Sequence, residues 1–129
     1  RIINDKLFES LIHMQLKNKN CIIANKGSKQ GLNVKIPWGA GGMCIPLKLI
    51  DNKNIKNFFK KHDNKCRYVD DVFWYKYFVL HKNKKIIYHQ KIKLNKEINN
   101  NNPLYKEKGA LQRYNTEKQK GLNNLCLEN

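Results

Sequence analysis

The feature that most constrains this chain is the dense apolar run at residues 72–80, VFWYKYFVL, in which only Lys76 carries a charge. Because side chains alternate across an extended chain, both faces of a strand over this run would be apolar. One face would carry Phe73, Tyr75, Tyr77 and Val79, and the other Val72, Trp74, Phe78 and Leu80. A strand with two apolar faces lies in the centre of a sheet. The run therefore predicts a buried central strand.

Four further segments are predicted as strands. Residues 81–84 predict a turn, after which residues 85–92 return as a strand with one mostly basic face. Residues 21–24 form a short apolar run, and apolar and polar residues alternate over 32–36 and again over 43–49. Pro46 predicts that the strand over 43–49 lies at a sheet edge or contains a bulge. The intervening sequence PWGAGG, residues 37–42, predicts a flexible turn, since it lacks the GK[ST] ending of a phosphate-binding loop.

Three segments are predicted as helices. Residues 4–16 carry apolar side chains at helical spacing behind Asn4, which can cap the first turn. Residues 54–61 carry a shorter apolar stripe, and residues 62–67 predict a polar loop. Residues 106–126 carry the third stripe, weakened by two glycines.

The order of these elements predicts an α+β fold. We expect a small curled antiparallel sheet or a partly open five-strand barrel with N-terminal, middle and C-terminal helices. A chain of 129 residues has the size of one domain. Four consecutive asparagines predict a flexible connection. We therefore expect a single α+β domain over residues 1–94, a flexible Asn-rich loop over 95–103 and a C-terminal helical extension over 104–129.

The net charge of +16 arises from 26 basic and 10 acidic residues. Of the basic residues 23 are lysine, and the chain also has 19 asparagines, so an A/T-rich genome accounts for part of the lysine content. Aspartate and glutamate also have A/T-tolerant codons and are few, so the imbalance of sign remains. A surface this basic favours an anionic partner such as RNA, DNA or acidic lipid.

The four cysteines are Cys21, Cys44, Cys66 and Cys126. No two of them have the close spacing that lets one turn hold zinc. Cys21 and Cys44 lie in apolar runs and are predicted to be small buried residues. Disulfides are compatible with the count, but the chain is not Cys-dense. We expect reduced thiols and an intracellular protein, cytoplasmic or organellar (mitochondrial).

The tetrapeptide YVDD at residues 68–71 resembles the YxDD motif of reverse-transcriptase palm domains, in which paired aspartates hold divalent metal. The match covers four residues, and the upstream acids needed for that chemistry lie in weak contexts. We instead expect Asp70 and Asp71 in a loop that enters the central strand. The four histidines do not cluster, and the two serines lack a nucleophile context. The sequence therefore predicts no enzyme, no cofactor and no metal site.

Residues 74–88 resemble the second and third strands of a pleckstrin-homology domain. A basic residue precedes an aromatic-Phe-Val-Leu run, and a turn leads to an aliphatic-x-Tyr run, here Ile86 to Tyr88. The resemblance implies a barrel closed by a C-terminal helix and binding of phosphoinositide headgroups. It implies that Lys76 faces the headgroup, together with the lysines of the following turn.

The candidate anion-binding residues concentrate around this aromatic segment. They are Lys76, Lys82, Lys84, Lys85, Lys91 and Lys93, with Trp74, Tyr75 and His89 as candidates for stacking on bases. Lysines neutralise phosphates, and exposed aromatic rings stack on unpaired bases. The sequence favours a non-catalytic RNA-binding subunit of a ribonucleoprotein, with rRNA as the foremost partner. The alternatives are a module for anionic lipid headgroups and an interaction subunit whose terminal helices dock on protein neighbours.

Overall fold

The computed structural model describes residues 6–29, 31–89 and 116–128. The helices are α1 (Lys6–Lys17), α2 (Asn52–Cys66), α3 (Asp70–Tyr75), which continues as a π-helix (Lys76–His81), and α4 (Thr116–Leu127). The strands are β1 (Ile22–Ala24), β2 (Gly27–Ser28), β3 (Ile36–Pro37), β4 (Met43–Cys44) and β5 (Ile86–Tyr88). Short 3₁₀ turns cover Gly39–Gly41 and Leu47–Leu49. With 59% helix and 13% strand among the described residues, the predicted α+β class is confirmed.

The described strands form two small sheets, and neither closes into a barrel. In the larger sheet β1 lies in the middle, antiparallel to β4 and parallel to β5. The smaller sheet pairs β2 with β3 in antiparallel register. The larger sheet is thus mixed and not wholly antiparallel. The parallel pair is consistent with the helical segment before β5, because parallel neighbours need a crossover and not a tight hairpin.

The prediction of a central strand over residues 72–80 is wrong, since this segment is helical. A run that is apolar on every side has no period that separates a strand from a buried helix. The helix buries Val72 and Phe73 in one cluster and Tyr77 and Phe78 in another. The segment that resembles a pleckstrin-homology hairpin therefore combines a helix with strand β5.

Three apolar clusters form the core. The first contains Leu32, Ile36, Cys66, Val69, Val72, Phe73 and Cys126. The second contains Leu7, Leu11 and Ile23, where α1 covers β1. The third contains Ile22, Tyr77 and Phe78, with Trp74 packed beside it. In this way the helix over residues 70–81 packs against both α2 and the larger sheet.

The first two predicted helices are present, and α2 is longer than expected. The Asp51 side chain accepts a hydrogen bond from the backbone N–H of Asn54 at 3.1 Å and caps α2. Residues 62–66, predicted as loop, continue this helix, because Cys66 is buried and Asp63 pairs with Arg67 one turn later. The prediction of a strand over 32–36 holds only at Ile36, where β3 begins. Of the strand predicted over 43–49, Met43–Cys44 form β4, and Leu47–Leu49 form a 3₁₀ turn instead.

Helix α4 packs against α2 and α3, and a disulfide joins Cys66 to Cys126 with 4.6 Å between their Cα atoms. The expectation of reduced thiols is therefore wrong for this pair. The reason is tertiary: helix packing brings together two cysteines that are 60 residues apart. Cys21 and Cys44 are free and half-buried.

Several predictions fall outside the described residues. They concern the Asn-rich loop over 95–103, the first part of the tail helix over 106–115, and the end of the strand over 85–92. Among the helices that are described, none combines the length and the apolar character needed to cross a membrane.

Candidate anion-binding surface

The turn that follows the π-helix presents the lysines predicted to bind anions. Its backbone is held by bonds from Lys82 N to the Tyr77 carbonyl at 3.0 Å and from Lys84 N to the Phe78 carbonyl at 2.8 Å. Asn83 adopts φ 56°, a left-handed conformation that asparagine tolerates better than most residues. The turn therefore projects its side chains from a fixed backbone.

A depression of about 440 Å³ lies beside this turn. The described residues that line it are Lys35, Tyr75, Val79, Asn83, Lys84, Lys85, Ile86 and Tyr88. We call it the lysine–tyrosine basin. It gathers three lysines and two tyrosines, and none of these lining residues is acidic. Two predicted phosphate-binding lysines and one predicted stacking residue, Tyr75, thus lie together.

Lys35 and Tyr88 join this group although the sequence analysis did not select them. The Lys35 ammonium lies 4.3 Å from the centroid of the Tyr88 ring, and the Tyr88 hydroxyl donates to the Lys35 carbonyl at 3.1 Å. Burial raises the pKa of Tyr88 to about 12, so its phenol stays neutral at ordinary pH. No local signal in the sequence indicates this contact, because it joins β5 to a segment 53 residues earlier.

Lys76 lies elsewhere, with only 3% of its surface exposed. Its ammonium donates to the carbonyl of Cys126 at 2.6 Å and to that of Glu128, and it lies 3.3 Å from His62 Nδ1. The last carbonyls of a helix lack partners within it, and a cation there also suits the helix dipole. Burial, followed by repulsion from Lys65, lowers the pKa of Lys76. Lys76 therefore caps α4 and does not line the basin.

The other predicted site residues are dispersed. Trp74 is half-buried and stacks on Phe78, with ring centroids 5.7 Å apart. His89 Nε2 lies 2.6 Å from the Ser10 hydroxyl and so connects the end of β5 to α1. The Lys82 ammonium lies 6.0 Å from the centroid of the Tyr77 ring, and Lys82 is not among the basin-lining residues. Lys91 and Lys93 lie outside the described residues.

The structure also brings together two segments that the sequence analysis treated separately, the PWGAGG turn and the YVDD tetrapeptide. The Gly39 N–H donates to Asp71 Oδ1 at 3.2 Å, and a Cβ on Gly39 would lie 2.9 Å from that oxygen. Burial raises the pKa of Asp71, while the bond from Gly39 opposes the rise. The expected loop is corrected, since Asp70 and Asp71 form the first turn of α3, where carboxylates suit the helix dipole.

Within the described part of the chain, no group of three or more histidine, cysteine, aspartate or glutamate side chains is arranged to hold a metal ion.

Comparison of the chain with protein-family models, curated proteins and solved structures gave no match. The lysine–tyrosine basin brings together three of the predicted anion-binding and stacking residues, Tyr75, Lys84 and Lys85.

Proposed function

We propose that the protein is a non-catalytic structural subunit of a ribonucleoprotein that binds RNA, with rRNA as the foremost partner, through the lysine–tyrosine basin. One observation carries the proposal. Three lysines and two tyrosines meet in one open depression without an acidic lining residue, in a chain of net charge +16. Such a surface attracts phosphate over a distance and offers rings at close range.

The two kinds of side chain have separate tasks. Lys35, Lys84 and Lys85 neutralise backbone phosphates, which supplies affinity that falls with salt. Tyr75 offers ring surface on which an unpaired base stacks. The Tyr88 ring is half-buried and already faces the Lys35 ammonium, so its part is to hold that lysine in the basin. The Tyr88 hydroxyl bond and the held turn limit the ordering cost of binding, because both parts are fixed before RNA arrives.

An anionic lipid headgroup would use the same lysines, as the resemblance to pleckstrin-homology domains implies. Tyr75 favours RNA, since a headgroup phosphate gains nothing from a stacking ring. Lipid binding would be weakened by substitution of the lysines alone, whereas RNA binding should be weakened by substitution of the lysines and of Tyr75.

The test is fluorescence anisotropy with a single-stranded RNA over a range of salt concentrations. Replacing Lys35, Lys84 and Lys85 together by glutamine should lower the slope of log K against log salt by about 2, since each phosphate contact on a single strand contributes about 0.7. Tyr75→Leu should weaken binding by about 1–3 kcal/mol without changing that slope.

The matched control replaces Lys53, Lys56 and Lys60 on the exposed side of α2 by glutamine, which removes the same charge away from the basin. An equal loss in the control would mean that net charge alone binds RNA. Binding to anionic vesicles in the absence of RNA binding would mean that the basin binds lipid headgroups and not RNA.

A second candidate function, an interaction subunit, is favoured by the outer face of α1. Phe8, Ile12 and Leu16 follow one another at four-residue spacing and are 56%, 52% and 64% exposed. Large apolar side chains grouped in this way are typical of a surface that contacts protein. Replacing all three by glutamine should release protein neighbours from the native complex while RNA binding through the basin persists. Retention of the same neighbours would contradict this candidate.

The disulfide bears on where the protein acts. Disulfides are rare in cytosolic proteins, where thiols are kept reduced. We infer that the Cys66–Cys126 disulfide persists where the protein acts, because both cysteines are buried and a reducing thiol has little access to them. Blocking free thiols in freshly lysed cells should leave this pair unmodified, and its modification would contradict the inference.

A further inference from the structure

A second depression, of about 530 Å³, lies between α2 and the π-helix. Its lining residues are Asn54, Asn57, Phe58, Lys61, His62, Lys76, Leu80 and His81. None of them lines the lysine–tyrosine basin. We call this depression the histidine pocket.

The lining is chemically one-sided. Its polar side chains are two amides, two lysines and two imidazoles, all able to donate N–H, and none of the described lining residues is acidic. The Asn54 side chain already donates to the Asp51 carboxylate at 2.8 Å, so this amide is not available to a ligand. The polar groups left to meet a ligand belong to Asn57, Lys61, His62 and His81. A pocket built from such donors suits an anion.

The contact with Lys76 defines the protonation of His62. As an ammonium Lys76 has no lone pair, so it donates to His62 Nδ1 as well as to the two carbonyls at the end of α4. A neutral His62 ring must then carry its proton on Nε2. Burial, then repulsion from Lys76, Lys61, Lys65 and His81, lowers the pKa of His62 and keeps the ring neutral near pH 7. The Nε2–H is thus a defined donor.

Phe58 holds both imidazoles in place. Its ring centroid lies 4.4 Å from that of His62 and 4.6 Å from that of His81. Donors held before a ligand arrives give an anion site selectivity for shape as well as charge. Phe58 and Leu80 also give the pocket an apolar wall, so the ligand can be larger than a bare anion.

We propose that the histidine pocket binds the phosphate group of a small molecule, either inorganic phosphate or a phosphate monoester. Lys61 supplies charge, His62 donates from Nε2, and His81 and Asn57 complete the contacts. A bound dianion offsets the positive potential that Lys76, Lys61, Lys65 and His81 place on His62. Of these four groups, Lys61, Lys76 and His81 line the pocket. Glu128, at the end of α4, is the acid that acts on Lys76 from the other side. The site uses no residue of the proposed RNA surface.

The test uses NMR of the histidine ring protons in the full chain, titrated with inorganic phosphate and, in parallel, with adenosine monophosphate. Both ligands should shift the His62 and His81 resonances saturably, and binding should raise the pKa of His62. Tighter binding of the nucleotide would identify a monoester as the ligand, and equal affinity would identify inorganic phosphate.

Two variants make the proposal falsifiable. Lys61→Gln should weaken phosphate binding about tenfold or more, the cost of losing one bond to a charged group. His62→Asn should weaken it similarly, while its amide oxygen still accepts from Lys76 so that the fold persists. Lys60→Gln is the matched control, because Lys60 neighbours Lys61 but lines a different depression.

The proposal that the histidine pocket binds phosphate would be wrong in either of two cases. One is an equal loss of phosphate affinity in Lys60→Gln and Lys61→Gln, and the other is the absence of a saturable shift with either ligand. Neither Lys61→Gln nor His62→Asn touches the basin, so RNA binding should persist in both. The two proposals can therefore fail separately.

Discussion

Two regions of the molecule are held together by different means. The helical half consists of α2, α3 and α4, and it contains the Cys66–Cys126 disulfide and the buried Lys76 ammonium. The sheet half consists of α1, β1, β4 and β5, with strands of only two or three residues. In the helical half a covalent bond and a charged hydrogen-bond donor join segments that are distant in the chain. In the sheet half, α1 packs Leu7 and Leu11 directly on β1.

This difference indicates where each half derives its stability. Short strands exchange few backbone hydrogen bonds, so the sheet half depends on burying Leu7, Leu11 and Ile23. Helix α4 buries fewer large apolar side chains than α1 does. It therefore needs the disulfide to α2 and the hydrogen bonds from Lys76 of the π-helix to stay in place. The cluster of Ile22, Tyr77 and Phe78 connects the halves. Substitutions that act on one half alone test this division.

The largest effect should follow loss of the disulfide. Replacing Cys66 and Cys126 by alanine opens a loop of 60 residues, and loop entropy predicts a loss of about 4 kcal/mol in the free energy of unfolding. Urea denaturation followed by circular dichroism measures it. The matched control replaces the free Cys21 and Cys44 by alanine and should cost much less. A loss below that of the control would show that α4 does not need the crosslink.

The next effect should come from Lys76→Met, which keeps the apolar stem and removes the ammonium. The buried carbonyl of Cys126 then loses its donor, and an unsatisfied buried acceptor costs about 1–3 kcal/mol. Amide hydrogen exchange should speed up in α4 and remain unchanged in α1. Lys82→Met, in the turn after the same helix, is the control and should leave exchange in α4 unaltered. Faster exchange in α1 would contradict the division into halves.

Much of the fold is present in local patterns. The apolar stripes over residues 4–16 and 54–61 are short-range signals, and each predicts a helix at the right place. The strand predicted over residues 72–80 is wrong because aromatic and β-branched residues favour strands in the sequence pattern. In the fold these residues are buried on several sides of a helix. The disulfide could not be predicted, since the pairing of Cys66 with Cys126 depends on how α4 packs.

The candidate site shows the same limit. Lys84 and Lys85 were selected because they lie in a turn, and turn residues are exposed whichever element precedes them. Lys76 was assigned to the anion-binding surface through the resemblance of residues 74–88 to a pleckstrin-homology hairpin. Its environment is set by the end of α4, 50 residues further along the chain. Contacts of this range leave no trace in spacing or period.

Replacing Gly42 and Gly121 by alanine should change the free energy of unfolding in opposite directions. Gly42 has φ +104°, and a Cβ there would lie 3.0 Å from Leu7, so Gly42→Ala should destabilise the sheet half by about 1–2 kcal/mol. Gly121 lies inside α4 with nothing within 4 Å of its Cβ position. Gly121→Ala should stabilise the chain by about 0.5–1 kcal/mol through helix propensity. Thermal melting of both variants measures the pair, and equal signs would contradict it.

The smallest effect concerns Asp71, which lies in the helical half. Burial raises the pKa of its carboxyl group. Because the folded pKa lies above the unfolded value of 3.8, its contribution to stability is present below pH 3.8 and is lost as pH rises through the folded pKa. Asp71→Asn removes this titration and keeps an oxygen that accepts from Gly39 N–H. The variant should therefore gain stability relative to the wild type as pH rises above 3.8.

We expect that gain to stay within about 1 kcal/mol, because removing a carboxylate from the first turn of α3 also costs about 0.3–1 kcal/mol of helix-dipole stabilisation. Urea denaturation at pH values from 3 to 7 measures the difference between the two chains. Asp70→Asn, at the exposed neighbouring position, is the control, since it removes the same dipole interaction without the bond from Gly39. If Asp71→Asn instead lost stability against the wild type as pH rose, the charged carboxylate would be stabilising α3. The helical half would then hold a carboxylate for the same reason that it holds the Lys76 ammonium, to satisfy the end of a helix.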